Sequence, residues 1–181
     1  NACMLAGLRV ENRSNAGIGS LLSDIWEKGP KGWDTMKFTE FLESKAARVE
    51  AFSGKNSVGL SATMLTNTIK DVLPLYAETL FNPELNADEF QRAKRVALED
   101  IRTFDEHLER VVSKMFSETL FGTHPYSQLS RGYEKSVTDL SIEAVRKHYE
   151  TWVLPAKMVV SVCGKFNYNE VVSVFEKFAA T

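Results

Sequence analysis

Two runs of period-two alternation flank one short turn, and a chain holding that pattern is committed to an antiparallel sheet. Ala47, Val49 and Ala51 alternate with Arg48, Glu50 and Phe52. After Gly54-Lys55-Asn56, Val58, Leu60, Ala62 and Met64 alternate with Ser57, Gly59, Ser61 and Thr63. Successive side chains of a strand point to opposite faces, and a short Gly-containing turn joins two such strands as a hairpin. The apolar face of that hairpin needs a cover, which the helical patterns on either side supply.

The most telling of these is residues 17–29, G-I-G-S-L-L-S-D-I-W-E-K-G. Ile18, Leu21, Leu22 and Ile25 fall at i, i+3, i+4 and i+7, the stripe that an amphipathic helix buries. Ser20, Ser23, Asp24 and Glu27 share the opposite face, and Gly29-Pro30 ends the helix. Residues 3–10 read as a strand ahead of it, and Ser14 or Asn15 in the polar turn 12–15 is the expected cap.

Further along, Asp34 or Thr35 caps a helix with Met36, Phe38, Phe41 and Leu42 on its apolar side. A helix through Ile69, Val72, Tyr76 and Leu80 is expected to start at Asp71, with Pro74 in its first turn, where the missing N–H costs no ladder bond. After Asn82-Pro83, a cap at Asn86 or Asp88 opens one long helix running towards Phe121. The stretch 127–133 is loop-like. Ser141 opens a helix that buries Val145, Tyr149 and Trp152 and stops at Pro155. Residues 157–163 form a strand, and a last helix turns Val171, Val174, Phe175 and Phe178 inward. The order β-α-α-β-β-α-α-α-β-α predicts an α+β fold, a mainly antiparallel sheet with helices packed on one face. At 181 residues the chain, 1–181, fits a single domain.

Composition excludes some classes. A net charge of −2 gives no basic excess for nucleic acid, and no apolar run reaches the length of a membrane span. Lys28, Lys31 and Lys37 surround Trp26 and Trp33, a mixture read as a solvated loop rather than a nucleic-acid patch. Cys3 and Cys163 sit in apolar, strand-like sequence and are expected to be buried free thiols. His107, His124 and His148 lack the spacing that puts two ligands on one helix face, and are expected at the surface or capping loops. Gly17-Ile18-Gly19 at a helix entry has the form of an anion-binding turn, but the third Gly and the P-loop Lys are missing. Glu99 stands between Arg95 and Arg102 on its helix, where ion pairs are expected. No nucleophile elbow is present.

At residues 17–29 the chain resembles the inverzincin peptidases, which include pitrilysin, insulysin and the mitochondrial processing peptidase. Their motif is H-x-x-E-H on a helix: two His hold zinc, the Glu activates water, and a further Glu from a later helix completes the site. Here Ser20, Ser23 and Asp24 stand at the positions of His, Glu and His, and Glu99 in V-A-L-E-D-I matches the distal Glu. The likeness continues through A-F-S-G-K-N-S-V-G-L-S, F-N-P-E-L, T-L-F-G-T-H-P-Y and V-R-K-H-Y-E-T-W-V-L-P-A-K-M-V-V-S-V-C-G.

That resemblance implies the first domain of a non-catalytic half, a piece lacking its first strand, with no catalytic or metal-binding residues of its own. Zinc is expected in the partner catalytic half, on the same polypeptide or a separate subunit, around a peptide substrate. Two alternatives are a purely structural assembly subunit without proteolysis and an independent hydrolase using Asp24, Glu99 and a distant His. The compartment stays open, with the bacterial periplasm or cytoplasm favoured over an organelle.

Overall fold

The computed structural model describes residues 1–179. In chain order the elements are β1 (Ala2–Leu5), α1 (Ile18–Trp26), α2 (Thr35–Ser44), β2 (Arg48–Ser53), β3 (Ser57–Thr63), α3 (Ile69–Phe81), α4 (Ala87–Arg102), α5 (Leu108–Phe121), α6 (Glu134–Asp139), α7 (Ile142–Trp152), β4 (Met158–Val160) and α8 (Tyr168–Ala179). The strands form one antiparallel sheet in the order β2-β3-β1-β4. Its inner face buries Ala2, Met4, Val49, Val58 and Leu60 under the helices, whereas Leu5 and Val159 on the outer face are 68% and 69% exposed. This is the α+β arrangement expected, with the helices on one side.

The hairpin pairs as the alternation dictates, Val49 opposite Ala62 and Ala51 opposite Leu60. Above it α1 packs against β2, α4 and α7. Ile18, Leu21, Leu22 and Ile25 are all buried. So is Trp26, whose indole N–H donates to the carbonyl of Thr79 (2.9 Å) and whose ring meets Tyr149 edge-on. Trp33 packs edge-on against Phe38 and Phe41, so the rings near the three lysines serve packing. Asp34, Asn86 and Ser141 cap α2, α4 and α7 with their side chains.

Several boundaries differ from expectation, each for a local reason. The first strand stops at Leu5, because residues 7–10 curl into a 3-10 turn whose Leu8 and Arg9 N–H groups donate to Gly54 and Lys55 at the hairpin turn. Neither Ser14 nor Asn15 caps α1, since the 12–15 turn closes on its own side chains. Helix α3 begins after Thr68, which leaves Pro74 in its second turn, on an exposed face where water can meet the carbonyl it frees.

The expected long helix is broken. The Thr103 hydroxyl bonds back to the carbonyls of Glu99 (3.2 Å) and Asp100 (3.5 Å), a 3-10 turn follows, and α5 departs without burying a residue. The short helix α6 occupies residues that carried no helical pattern. Strand β4 is shorter than residues 157–163, and Ser161 and Asn1 exchange the last two bonds of its ladder, so Cys163 lies beyond the sheet and is exposed rather than buried, while Cys3, also a free thiol, is half-buried.

Candidate functional site

The polar face of α1 is positioned by an anion that the chain supplies itself. Gly17, at a φ of 95°, leads into the helix, and its N–H and that of Gly19 donate to the two oxygens of Glu11, at 2.8 and 3.1 Å. Glu11 is buried, so desolvation pushes its carboxyl above the usual range, while the two backbone bonds pull the other way. The Gly-x-Gly turn is therefore an anion-binding turn after all, filled by a side chain and unavailable to a phosphate.

A second segment locks against the same turn. Gly132, at a φ of 81°, passes so close to α1 that a Cβ there would lie 2.2 Å from the carbonyl oxygen of Ala16. A Cβ on Gly17 would lie 2.7 Å from that of Arg131. Only glycine permits this backbone-to-backbone contact. Ser136 at the start of α6 donates to the Ala16 carbonyl (2.8 Å), and the Arg13 guanidinium sits 3.6 Å over the Tyr133 ring.

The pinned loop delivers Arg131 onto the polar face of α1. Its Nη1 lies 2.6 Å from Asp24 Oδ2 and 3.1 Å from Ser20 Oγ, and its Nε lies 3.7 Å from Asp100 Oδ2 on α4. Ser20, Asp24, Asp100 and Arg131 thus converge. Ser23 does not join them: its hydroxyl is buried and donates to the Gly19 carbonyl one turn back (2.9 Å). Glu27 reaches the edge strand, where Oε2 accepts the N–H of Ala51 (3.2 Å).

Glu99 is exposed, and the α4 carboxylate that Arg131 reaches is the next one, Asp100. The expected pairing of Arg102 with Glu99 is replaced by a bond to Glu134 on α6 (3.2 Å). Among the histidines, His107 is exposed at the entry to α5, and His124 accepts the N–H of Tyr126, as a loop-capping residue does. His148 is a correction to the surface expectation. It is buried on α7 with its ring near that of Trp152, its Nε2 has no partner among the described residues, and burial pushes its pKa down to about 4.

Arg131 and Glu11 carried no motif, and in V-A-L-E-D-I the resemblance pointed to Glu99 rather than Asp100. Arg131 lies in a polar loop distant in sequence, and its one signal was the glycine after it. Glu11 could have been suspected as the carboxylate just ahead of a Gly-x-Gly helix entry.

The sequence profile of Insulinase (Peptidase family M16) matches residues 3–132. The chain belongs to that family. It is 24% identical over 168 residues to an uncharacterized zinc protease of Mycobacterium leprae, covering 93% of this chain and 38% of that protein. Over 176 residues it is 23% identical to cytochrome b-c1 complex subunit 1 of mouse mitochondria, covering 95% of this chain and 36% of that one. The crystal structure of a peptidase M16 inactive domain from Pseudomonas fluorescens superposes with a TM-score of 0.90 at 20% identity, over 99% of this chain and 44% of the other. The chain therefore spans less than half the length of the relatives it matches.

Zinc, which the family implies, does not fit this face. Ser20 offers a hydroxyl, a poor zinc ligand, Asp24 is held by a guanidinium, and Ser23 is uncharged and donates its proton to the Gly19 carbonyl. Among the described residues, no group of three or more His, Cys, Asp or Glu side chains is placed to hold a metal ion.

Proposed function

We propose that this chain is a non-catalytic domain of a zinc metallopeptidase, which forms part of a peptide-binding chamber and supports a half that carries H-x-x-E-H and zinc. The observation that carries this reading is the polar face of α1. At the three motif positions, Ser20 and Asp24 are bound to Arg131 and Ser23 is bound to its own helix. Hydroxyls are poor zinc ligands, and a serine without a base cannot take a proton from water at neutral pH.

Two surface features support a partner half, fused or separate. Helix α5 exposes Leu108, Val112, Met115, Phe116 and Leu120, at 59 to 76% of their full area, along one side. A contiguous apolar face of this kind marks an interaction surface. Edge strand β2 could add an extended peptide by backbone pairing. Its Ala51 N–H is already taken by Glu27, which suits a wall more than a cleavage cleft. The mouse relative named as a subunit of the cytochrome b-c1 complex favours a second reading, a structural assembly subunit without proteolysis.

A fluorogenic peptide assay separates these. The proposal expects no cleavage by this chain alone, and cleavage when it is combined with an H-x-x-E-H-bearing half. A complex that assembles but stays inactive favours the structural subunit. Cleavage by the chain alone, lost in Asp24→Ala, overturns both.

A further inference from the structure

We propose that Arg131 is the resident cation of the α1 polar face, a guanidinium held between α1 and α4 that takes the role of a metal ion and excludes one. The inference rests on reading this face as a metal site that has lost its ligands. The geometry goes beyond that loss. One guanidinium meets Ser20 and Asp24, the two positions where the motif has histidines, and Asp100 on the second helix. Three groups from two helices converging on one positive charge is the topology of a metal site, with the ion supplied by the chain.

The guanidinium is placed there by the fold. The Arg131-Gly132 backbone is pressed against Ala16-Gly17 at distances that tolerate no Cβ, and Ser136 bonds the same carbonyl that Gly132 abuts. Loss of ligands alone requires no such arrangement. The two carboxylates supply the reason for it: Asp24 on α1 and Asp100 on α4 lie 2.6 and 3.7 Å from the one guanidinium, and its fixed positive charge offsets their mutual repulsion. Arginine suits the task, because its planar fork meets several oxygens at once and never loses its charge.

Restoring the motif with Ser20→His, Ser23→Glu and Asp24→His should give only weak zinc binding while Arg131 is present. Adding Arg131→Ala should tighten zinc binding at least tenfold, and adding Arg131→Lys should not. Zinc affinity is read by competition with a chromogenic chelator, with circular dichroism as the control for folding. Equal affinity in all three variants overturns the role of Arg131. Stoichiometric zinc on the wild-type chain would overturn the proposed function as well.

A second measurement needs no restored motif. Arg131→Ala in the wild-type chain should lower the melting temperature, and adding Asp24→Asn and Asp100→Asn should recover most of the loss. Absence of recovery overturns the inference, even if the restored-motif variants do not fold.

Discussion

Removing the Glu11 carboxylate tests how the organising helix is held. In Glu11→Ala the N–H groups of Gly17 and Gly19 lose their acceptors in a buried place. An unsatisfied buried donor costs about 1–3 kcal/mol. Desolvation of the ionised carboxylate offsets part of what its two bonds return, so the expected loss is about 2 kcal/mol, a large share of the roughly 5–15 kcal/mol a domain possesses. Glu11→Gln keeps one acceptor oxygen and should lose about half as much.

Urea unfolding at pH 7 measures both variants. The pH dependence of their stability is a second readout. Burial raises the Glu11 carboxyl above its ordinary value, so the folded state takes up that proton at a higher pH than the unfolded state does. Its contribution is therefore full below the ordinary carboxylate pKa and declines as pH rises through the raised folded value. The advantage of wild type over Glu11→Gln should widen as pH falls from 7. A loss below about 0.5 kcal/mol in Glu11→Ala, the level of an ordinary surface substitution, would refute the idea that this carboxylate clamps α1.

Gly59 offers a steric test in the sheet. A Cβ there would lie 2.1 Å from the Ala2 carbonyl oxygen and 2.7 Å from the Phe52 ring, so Gly59→Ala should cost about 3 kcal/mol in chemical denaturation. Gly54→Ala, with its nearest atom at 3.6 Å, should stay within about 0.5 kcal/mol of wild type. His148 resists protonation in the fold until about pH 4, whereas the unfolded side chain protonates near 6.5. Stability present above pH 6.5 should thus fall by about 2–3 kcal/mol on acidification towards 4, and His148→Leu should flatten that slope in pH-dependent melts. Phe116→Glu on the exposed side of α5 should leave the melting temperature of the chain unchanged and weaken association with a catalytic half at least tenfold in a binding titration.

The elements were legible wherever one segment carried its own pattern. The hairpin needed only its alternation and Gly54-Lys55-Asn56, and α1 needed only its stripe between glycines. Caps at Asp34, Asn86 and Ser141 followed from the same local chemistry. Where partners from elsewhere decide, the pattern misled. The apolar stripe from Phe90 to Phe121 reads as one helix, because periodicity reports a helical face and not whether anything covers it. The chain breaks at Thr103, and the second half of the stripe stays exposed.

The site shows the same division. Ser20, Ser23 and Asp24 could be placed by their positions in the α1 motif, because the helix fixes their spacing. Which α4 carboxylate Arg131 reaches could not, since adjacent helical residues point about 100° apart and a shift of one position selects Asp100 over Glu99. Arg131 was invisible for a deeper reason: a loop residue acquires its partners only when Gly17 and Gly132 let two backbones touch.

The central claim is that this domain is not a metal centre. It is tested most directly by elemental analysis of the purified wild-type chain, dialysed against zinc and exchanged into metal-free buffer. The account predicts far less than one zinc per chain, with no peptide cleavage by the same sample. One tightly held zinc per chain, lost in Asp24→Ala, would contradict it.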